Sequence, residues 1–136
     1  MSRVAVLMNP ANTSHAPALG AARTIAQSLA IELRPHEARL PRDLRLAFAA
    51  IDEEYATAIV ILSDPIFKKQ LHRIVKFAAA RWLPTAGDFV ELALAGGLIG
   101  FSSKPREALV LNIRAAKAMR IALPESVLRR ATRVIG

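Results

Sequence analysis

The sequence predicts an α/β fold of three layers, in which helices cover both faces of a doubly wound, mainly parallel sheet. Through residue 101, short apolar runs alternate with amphipathic stretches of helical spacing. The connections between them are short, which favours parallel strands joined by right-handed crossovers. A length of 136 residues suits one core. We therefore expect a single domain over 1–136, in which 109–136 supplies a C-terminal strand and helices.

The first half of the chain predicts two strand–helix units. Its opening apolar run is almost continuous, as is typical of a strand buried on both faces. The second run contains Pro35, which lacks a backbone N–H and therefore indicates an edge strand. Pro41 suits the first turn of the second helix. The predicted order is strand 3–8, helix 18–29, strand 31–36 and helix 41–51.

The middle of the chain predicts the centre of the sheet. Residues 57–62 form its clearest central strand, and the segment Ser63-Asp64-Pro65 caps the helix that follows. Gly96 and Gly97 end a short helix. The predicted order is strand 57–62, a helix with a buried stripe from 67 to 82, strand 83–86, helix 89–95 and strand 98–101. Together with the first half, this order predicts a flavodoxin-like sheet.

The alternation breaks down after residue 101, where the chain becomes strongly basic. We predict a loop over 102–107, a strand over 109–112, a helix over 113–120 and a terminal helix over 124–135. Residues 104–136 hold eight basic and two acidic residues of a chain with net charge +8. Their cations recur at helical spacing, and the chain has few aromatic residues, so a solvated helix face is favoured over nucleic-acid binding.

Several function classes are excluded or disfavoured by the residues present. The chain has no cysteine, which excludes disulfides and thiolate chemistry. His15, His36 and His72 share no metal-ligand spacing, and no nucleophile elbow occurs, so we expect no catalytic residue, metal or cofactor. A charge interrupts every apolar run well short of a membrane span, and the opening run is too short for a signal peptide. As written, the chain is expected to be cytoplasmic.

Polar residues follow several predicted strands at the edge where ligands of doubly wound folds bind. Asn9, Asn12 and Ser14 follow the first strand, where helix amides can hold a carboxylate or phosphate, although capping alone explains them as well. Asp64 follows the central strand, where it either caps the next helix or binds an ammonium or hydroxyl group. The same rule selects residues 86–89 and 102–104.

Response-regulator receiver domains share this fold and provide an alternative function. Asp64, Thr85 and Lys104 fall near the positions of their phosphoacceptor, hydroxyl and lysine residues. Phosphotransfer also needs an acidic pair after the first strand to hold Mg²⁺. This chain has Asn9 there and no acid before Glu32, which disfavours signalling.

Several segments carry a family resemblance through their order and spacing. They are RVAVLMNPAN at 3–12, LSDP at 62–65, RWLP at 81–84, FVE at 89–91, GGL at 96–98, residues 109–118 and IALPESVL at 121–128. Together they resemble ABC-transporter substrate-binding proteins with a type I periplasmic-binding fold. The chain resembles the second lobe only, with an internal deletion between Phe101 and Leu109.

The resemblance implies one lobe of a periplasmic receptor that closes on a small solute, such as an amino acid, and delivers it to a membrane permease. A lone lobe cannot enclose its ligand, so we expect affinity no better than about millimolar, or none. The surface that the missing first lobe would cover is exposed, so we expect self-association, most simply as a dimer. The matching ligand-side residues are Asn9, Asn12, Ser14, Asp64, Asp88 and Phe89.

Overall fold

A computed structural model describes residues 2–103 and 106–136 of the chain. Its strands form one sheet in the order β2-β1-β3-β4-β5-β6-β7, in which only β5 and β6 pair antiparallel. This confirms the predicted doubly wound, mainly parallel α/β fold and the flavodoxin-like order of its first five strands. The strands are β1 (Ser2–Met8), β2 (Ile31–Glu37), β3 (Ala58–Ile61), β4 (Thr85–Gly87), β5 (Ile99–Ser102), β6 (Ala108–Asn112) and β7 (Arg133–Ile135).

Helices cover both faces of the sheet and divide the core between them. They are α1 (His15–Ser28), α2 (Asp43–Glu54), α3 (Pro65–Lys69), α4 (Leu71–Ala80), α5 (Glu91–Leu94), α6 (Ile113–Ala118) and α7 (Glu125–Arg130). The larger core joins β1 and β3 to α2, α3, α4 and α5, with Ile59 and Ile61 fully buried. A smaller cluster packs Leu19 of α1 on the opposite face of β1. None of the described helices is long and apolar enough to cross a membrane.

The helix predicted with a stripe from 67 to 82 is two helices, and Trp82 is not part of a buried stripe. Gln70 leaves helical geometry with φ −101° and ψ 14°, which separates α3 from α4. Trp82 follows the end of α4 with φ +57°, in the left-handed region. That turn directs the indole outward, and the residue is 57% exposed.

The predicted terminal helix 124–135 is wrong in its second half. The helix ends at Arg130, and residues 133–135 form β7, an edge strand parallel to β6. Thr132 begins this pairing, because its backbone N–H donates to Leu109 O and its hydroxyl accepts from Leu109 N. β-Branched residues at 132, 134 and 135 favour an extended chain. The cations of this tail therefore do not share a single helix face.

Candidate functional site

The parallel strands bring most of the predicted site residues to one edge of the sheet, but not into one cluster. The loops after β1 and β3 meet in a buried hydrogen-bond network centred on Asp64, which we call the Asp64 network. The loops after β3, β4 and β5 border an open groove beside Asp88, which we call the Asp88 groove. The two differ in burial and in how far their polar atoms are already satisfied.

Asp64 accepts three hydrogen bonds within the Asp64 network. Oδ1 accepts from Ile66 N at 2.9 Å and from Asn9 Nδ2 at 3.3 Å, and Oδ2 accepts from Asn12 Nδ2 at 2.9 Å. The bond from Ile66 caps α3, so the capping role considered for this residue is the one observed. Asp64 is only 6% exposed. The carboxylate is thus engaged by the protein and turned away from solvent.

The two asparagines also hold their own loop in shape. Asn9 Oδ1 accepts from Ala11 N at 2.9 Å, and Asn12 Oδ1 accepts from Ser14 N at 3.0 Å and from Ser14 Oγ at 2.7 Å. Each amide therefore uses its oxygen within the loop and its nitrogen on Asp64. The Ala11 and Ser14 N–H groups, at the place where a ligand carboxylate was expected, already have acceptors. Ser14 is exposed and joins the network only through Asn12.

His15 completes the Asp64 network, and sequence reasoning gave it no specific role. It is 2% exposed, with Nδ1 2.9 Å from Asn9 N and Nε2 2.8 Å from Ser63 O. A backbone N–H can only donate and a carbonyl can only accept, so Nδ1 is the acceptor and the proton lies on Nε2. The neutral ring therefore ties the end of β1 to the end of β3. In the sequence, the only indication of this role is that His15 directly follows the polar loop 9–14.

The electrostatics of Asp64 are set by two opposing effects. Burial raises the pKa of the carboxyl, because it penalises the charged form. Hydrogen bonds from Asn12, Ile66 and Asn9 lower the pKa of the Asp64 carboxyl, and their combined effect prevails over that of burial. The net result is a pKa below the ordinary 3.8. Asp64 is accordingly a stabilised carboxylate at neutral pH.

The Asp88 groove is open to solvent and carries both signs of charge. It has a volume of about 460 Å³. Asp88 is exposed and accepts one hydrogen bond, from Ser63 N at 2.6 Å. Lys68 Nζ lies 3.7 Å from Glu91 Oε2. The lining residues are Ser63, Lys68, Asp88, Phe89, Val90, Glu91, Phe101, Ser102 and Ser103.

The floor of the Asp88 groove depends on a close backbone approach. A Cβ on Gly100 would lie 2.8 Å from both Phe89 O and Val90 Cα, so only glycine lets β5 come this near. Phe89 is 3% exposed and packs in the larger core, with Lys68 Nζ 5.9 Å from its ring centre. The predicted ligand-side ring thus forms the floor rather than an exposed face.

The remaining groups considered for chemistry are placed as follows. Thr85 is buried, and its hydroxyl accepts a hydrogen bond from Leu98 N at 3.2 Å, which directs it toward β5. Lys104 and Pro105 lie outside the described residues. Across 2–103 and 106–136, no group of three or more histidine or carboxylate side chains is placed to hold a metal ion.

Solved structures share this fold over nearly the whole chain. A conserved domain protein from Vibrio cholerae O1 biovar eltor str. N16961 matches with a TM-score of 0.84 at 22% identity, over 98% of this chain and 54% of that one. The ABC domain in complex with L-Trp from Streptococcus pneumonia matches with a TM-score of 0.88 at 13% identity, over 98% and 56%. The ligand-free, open structure of a substrate-binding protein with adhesive properties from Clostridium difficile matches with a TM-score of 0.78 at 10% identity, over 98% of this chain and 54% of that one.

These matches establish the fold and its extent. The chain spans about half the length of each of these structures, and two of them are described as a substrate-binding protein or a domain with a bound amino acid. The predicted likeness to one half of a substrate-binding protein is thereby confirmed at the level of fold. No family model matches the chain, and no curated protein matches it significantly.

Proposed function

We propose that the chain is a solute-binding lobe whose ligand site is the Asp88 groove. The observation that carries this proposal is the exposed carboxylate of Asp88 beside the Lys68–Glu91 pair, at the edge where ligands of doubly wound sheets bind. Asp64 lies at the same edge, but its oxygens are already occupied. The ligand role therefore belongs to the groove, and the Asp64 network supports it by fixing Ser63.

An amino-acid-like zwitterion fits the charges of the Asp88 groove. Its ammonium group would meet Asp88 or Glu91, and its carboxylate would meet Lys68. Support for this chemistry comes from the structural neighbour described in complex with L-Trp. The groove is open, so much of a bound amino acid would stay in water, and affinity is expected at about millimolar, near −4 kcal/mol, or weaker.

The wider role follows from the same likeness and belongs to the proposal. A binding lobe of this kind would deliver its solute to an ABC permease and would act outside the cytoplasm. We propose no catalysis, because no nucleophile–base pair is recognisable in the site. Self-association as a two-fold dimer would cover part of the surface that a second lobe covers in a bilobed receptor.

An NMR titration tests the site directly. We expect a pool of amino acids to shift the backbone amides of residues 63, 68, 88–91, 102 and 103, and to leave those of 9–14 nearly unchanged. Raising the salt concentration should have little effect, since a small zwitterion releases few counterions. An Asp43→Asn variant is the control and should show the same shifts as the unmodified chain, because Asp43 is a carboxylate at the start of α2, where it accepts from Arg39 N and Leu40 N.

Three results would contradict the proposed function. Shifts centred on 9–14 would return the ligand to the Asp64 network. Shifts over 106–136 with a short DNA duplex, steeply weakened by salt and without any amino-acid response, would favour polyanion binding. Modification of Asp64 by acetyl phosphate with Mg²⁺ would instead indicate a receiver-like signalling domain.

A further inference from the structure

A second concave surface lies between α2 and α4, and it shares no residue with the Asp88 groove. We call it the α2–α4 groove; its volume is about 560 Å³. It lies on the helix layer that covers the larger core, so its floor is continuous with that core. The lining residues are Arg45, Phe48, Ala49, Asp52, Arg73, Lys76, Phe77, Ala80 and Arg81.

The floor of the α2–α4 groove is aromatic. The rings of Phe48 and Phe77 stack with their centres 4.2 Å apart and their planes 11° from parallel. The guanidinium of Arg81 lies 3.9 Å from the centre of the Phe77 ring. Phe77 is therefore covered, whereas Phe48 is only half-buried and offers apolar surface to the groove.

The rim of the α2–α4 groove has an excess of positive charge. Four cationic side chains line it, against the single carboxylate of Asp52, which pairs with Arg81. Arg73 donates to Pro41 O and to Gln70 Oε1, both at 3.2 Å. Within residues 2–103 and 106–136, neither Arg45 nor Lys76 pairs with a carboxylate. Gathering like charges around an apolar floor is unfavourable unless an anion joins them.

We propose that the α2–α4 groove binds an acidic protein segment that inserts one aromatic or large aliphatic side chain. The segment's carboxylates would pair with Arg45 and Lys76, and its apolar side chain would cover Phe48. The groove is too open to bury most of a small molecule, which favours a chain segment as the occupant. The contacts of Phe77 with Phe48 and Arg81 leave at most the exposed part of the single Phe48 ring for stacking on a nucleobase, which disfavours nucleic acid.

A defined peptide tests this proposal on the full chain. The probe is a capped peptide of sequence Glu-Asp-Glu-Phe-Glu-Asp-Glu, titrated at low salt and followed by NMR. We expect amide shifts concentrated in 45–52 and 73–81, with a Kd of about 100 μM. Replacing the peptide's phenylalanine by alanine should weaken binding about five-fold or more, because the apolar contact is lost.

Charge reversal on the protein locates the site. The double variant Arg45→Glu with Lys76→Glu should weaken peptide binding about ten-fold or more. The matched double variant Arg23→Glu with Lys117→Glu reverses one arginine and one lysine, both exposed and outside the groove, and should bind as the unmodified chain does. All four side chains are exposed, so both variants are expected to keep the native circular dichroism spectrum.

Three outcomes would overturn the proposal. The first is peptide binding that both double variants weaken equally, or that does not depend on the peptide's phenylalanine, since either marks a general charge effect. The second is an absence of shifts in α2 and α4 at millimolar peptide. The third is tighter binding of a DNA duplex or of phosphatidylserine vesicles, lost in the Arg45→Glu and Lys76→Glu variant, which would assign the groove to nucleic acid or to a membrane surface instead.

Discussion

Asp64 and Asp88 end neighbouring parallel strands at the same edge of the sheet, yet the protein uses them differently. Asp64 is buried and receives three hydrogen bonds from two side-chain amides and one backbone N–H. Asp88 is exposed and receives one, from Ser63 N. A carboxylate at the end of a strand is therefore available to a ligand only where its neighbours leave its oxygens unoccupied.

The same difference separates stability from binding. Removing a carboxylate that satisfies buried donors leaves those donors without partners, which costs folding free energy. Removing an exposed carboxylate with one partner costs little folding free energy but removes a charge from the surface. Variants of Asp64 should consequently lower the stability of the fold, whereas variants of Asp88 should lower ligand affinity and leave stability nearly unchanged.

Asp64→Ala should produce the largest effect. It leaves the side-chain amides of Asn9 and Asn12 without their shared acceptor and removes the cap of α3, which together should lower the free energy of unfolding by about 2–4 kcal/mol. Urea denaturation followed by circular dichroism measures this change. Asp88→Ala is the matched control and should lower it by no more than about 0.5–1 kcal/mol. Equal losses in the two variants would refute the distinction between the Asp64 network and the Asp88 groove.

The sequence was sufficient to predict the sheet and its polar edge, because strand burial and capping are local properties. Alternation of apolar runs indicated the parallel order, and Asp64 before Pro65 indicated the cap of α3. The prediction for the C-terminal segment failed because α7 and β7 depend on pairing between Thr132 and Leu109, which are 23 residues apart. The saturation of Asp64 was missed for the same reason, since Asn9 and Asn12 reach it only after β1 and β3 have paired.

The second largest effect should be the loss of unfolding free energy that occurs in acid when Asp64 is protonated. The folded-state pKa of Asp64 is lowered, so its stabilising contribution is complete above the ordinary pKa of 3.8 and is lost as pH falls through the folded value. The unmodified chain should lose this contribution in acid, whereas the Asp64→Asn variant has no such group to titrate. The amide nitrogen introduced by Asp64→Asn would also face a donor from Asn9 or Asn12, so this variant starts less stable at neutral pH.

Unfolding free energies measured between pH 7 and pH 2.5 test this expectation. The difference in unfolding free energy between the unmodified chain and the Asp64→Asn variant should narrow steadily below about pH 4. Asp43 is the control: backbone N–H groups of Leu40 and Arg39 lower its pKa as well, but it lies on the surface. The corresponding gap for Asp43→Asn should therefore narrow only slightly in the same range. A gap for Asp64→Asn that stays constant with pH would mean that Asp64 does not titrate differently in the folded chain.

The smallest effect is expected at Asp88, and it is the one that tests the proposed ligand site most directly. Asp88→Asn preserves the acceptor for Ser63 N and removes only the charge, so stability should hardly change. If the ammonium group of an amino acid meets Asp88, affinity should fall about two- to five-fold, a typical loss for one exposed ionic contact. An N-acetylated amino acid lacks that ammonium group and should bind the unmodified chain as weakly as the free amino acid binds Asp88→Asn. Combining the variant with the acetylated ligand should then cause no further loss, because both changes remove the same contact. Additive losses, measured by NMR titration, would place the ammonium group elsewhere in the groove, where Glu91 is the other carboxylate of the lining.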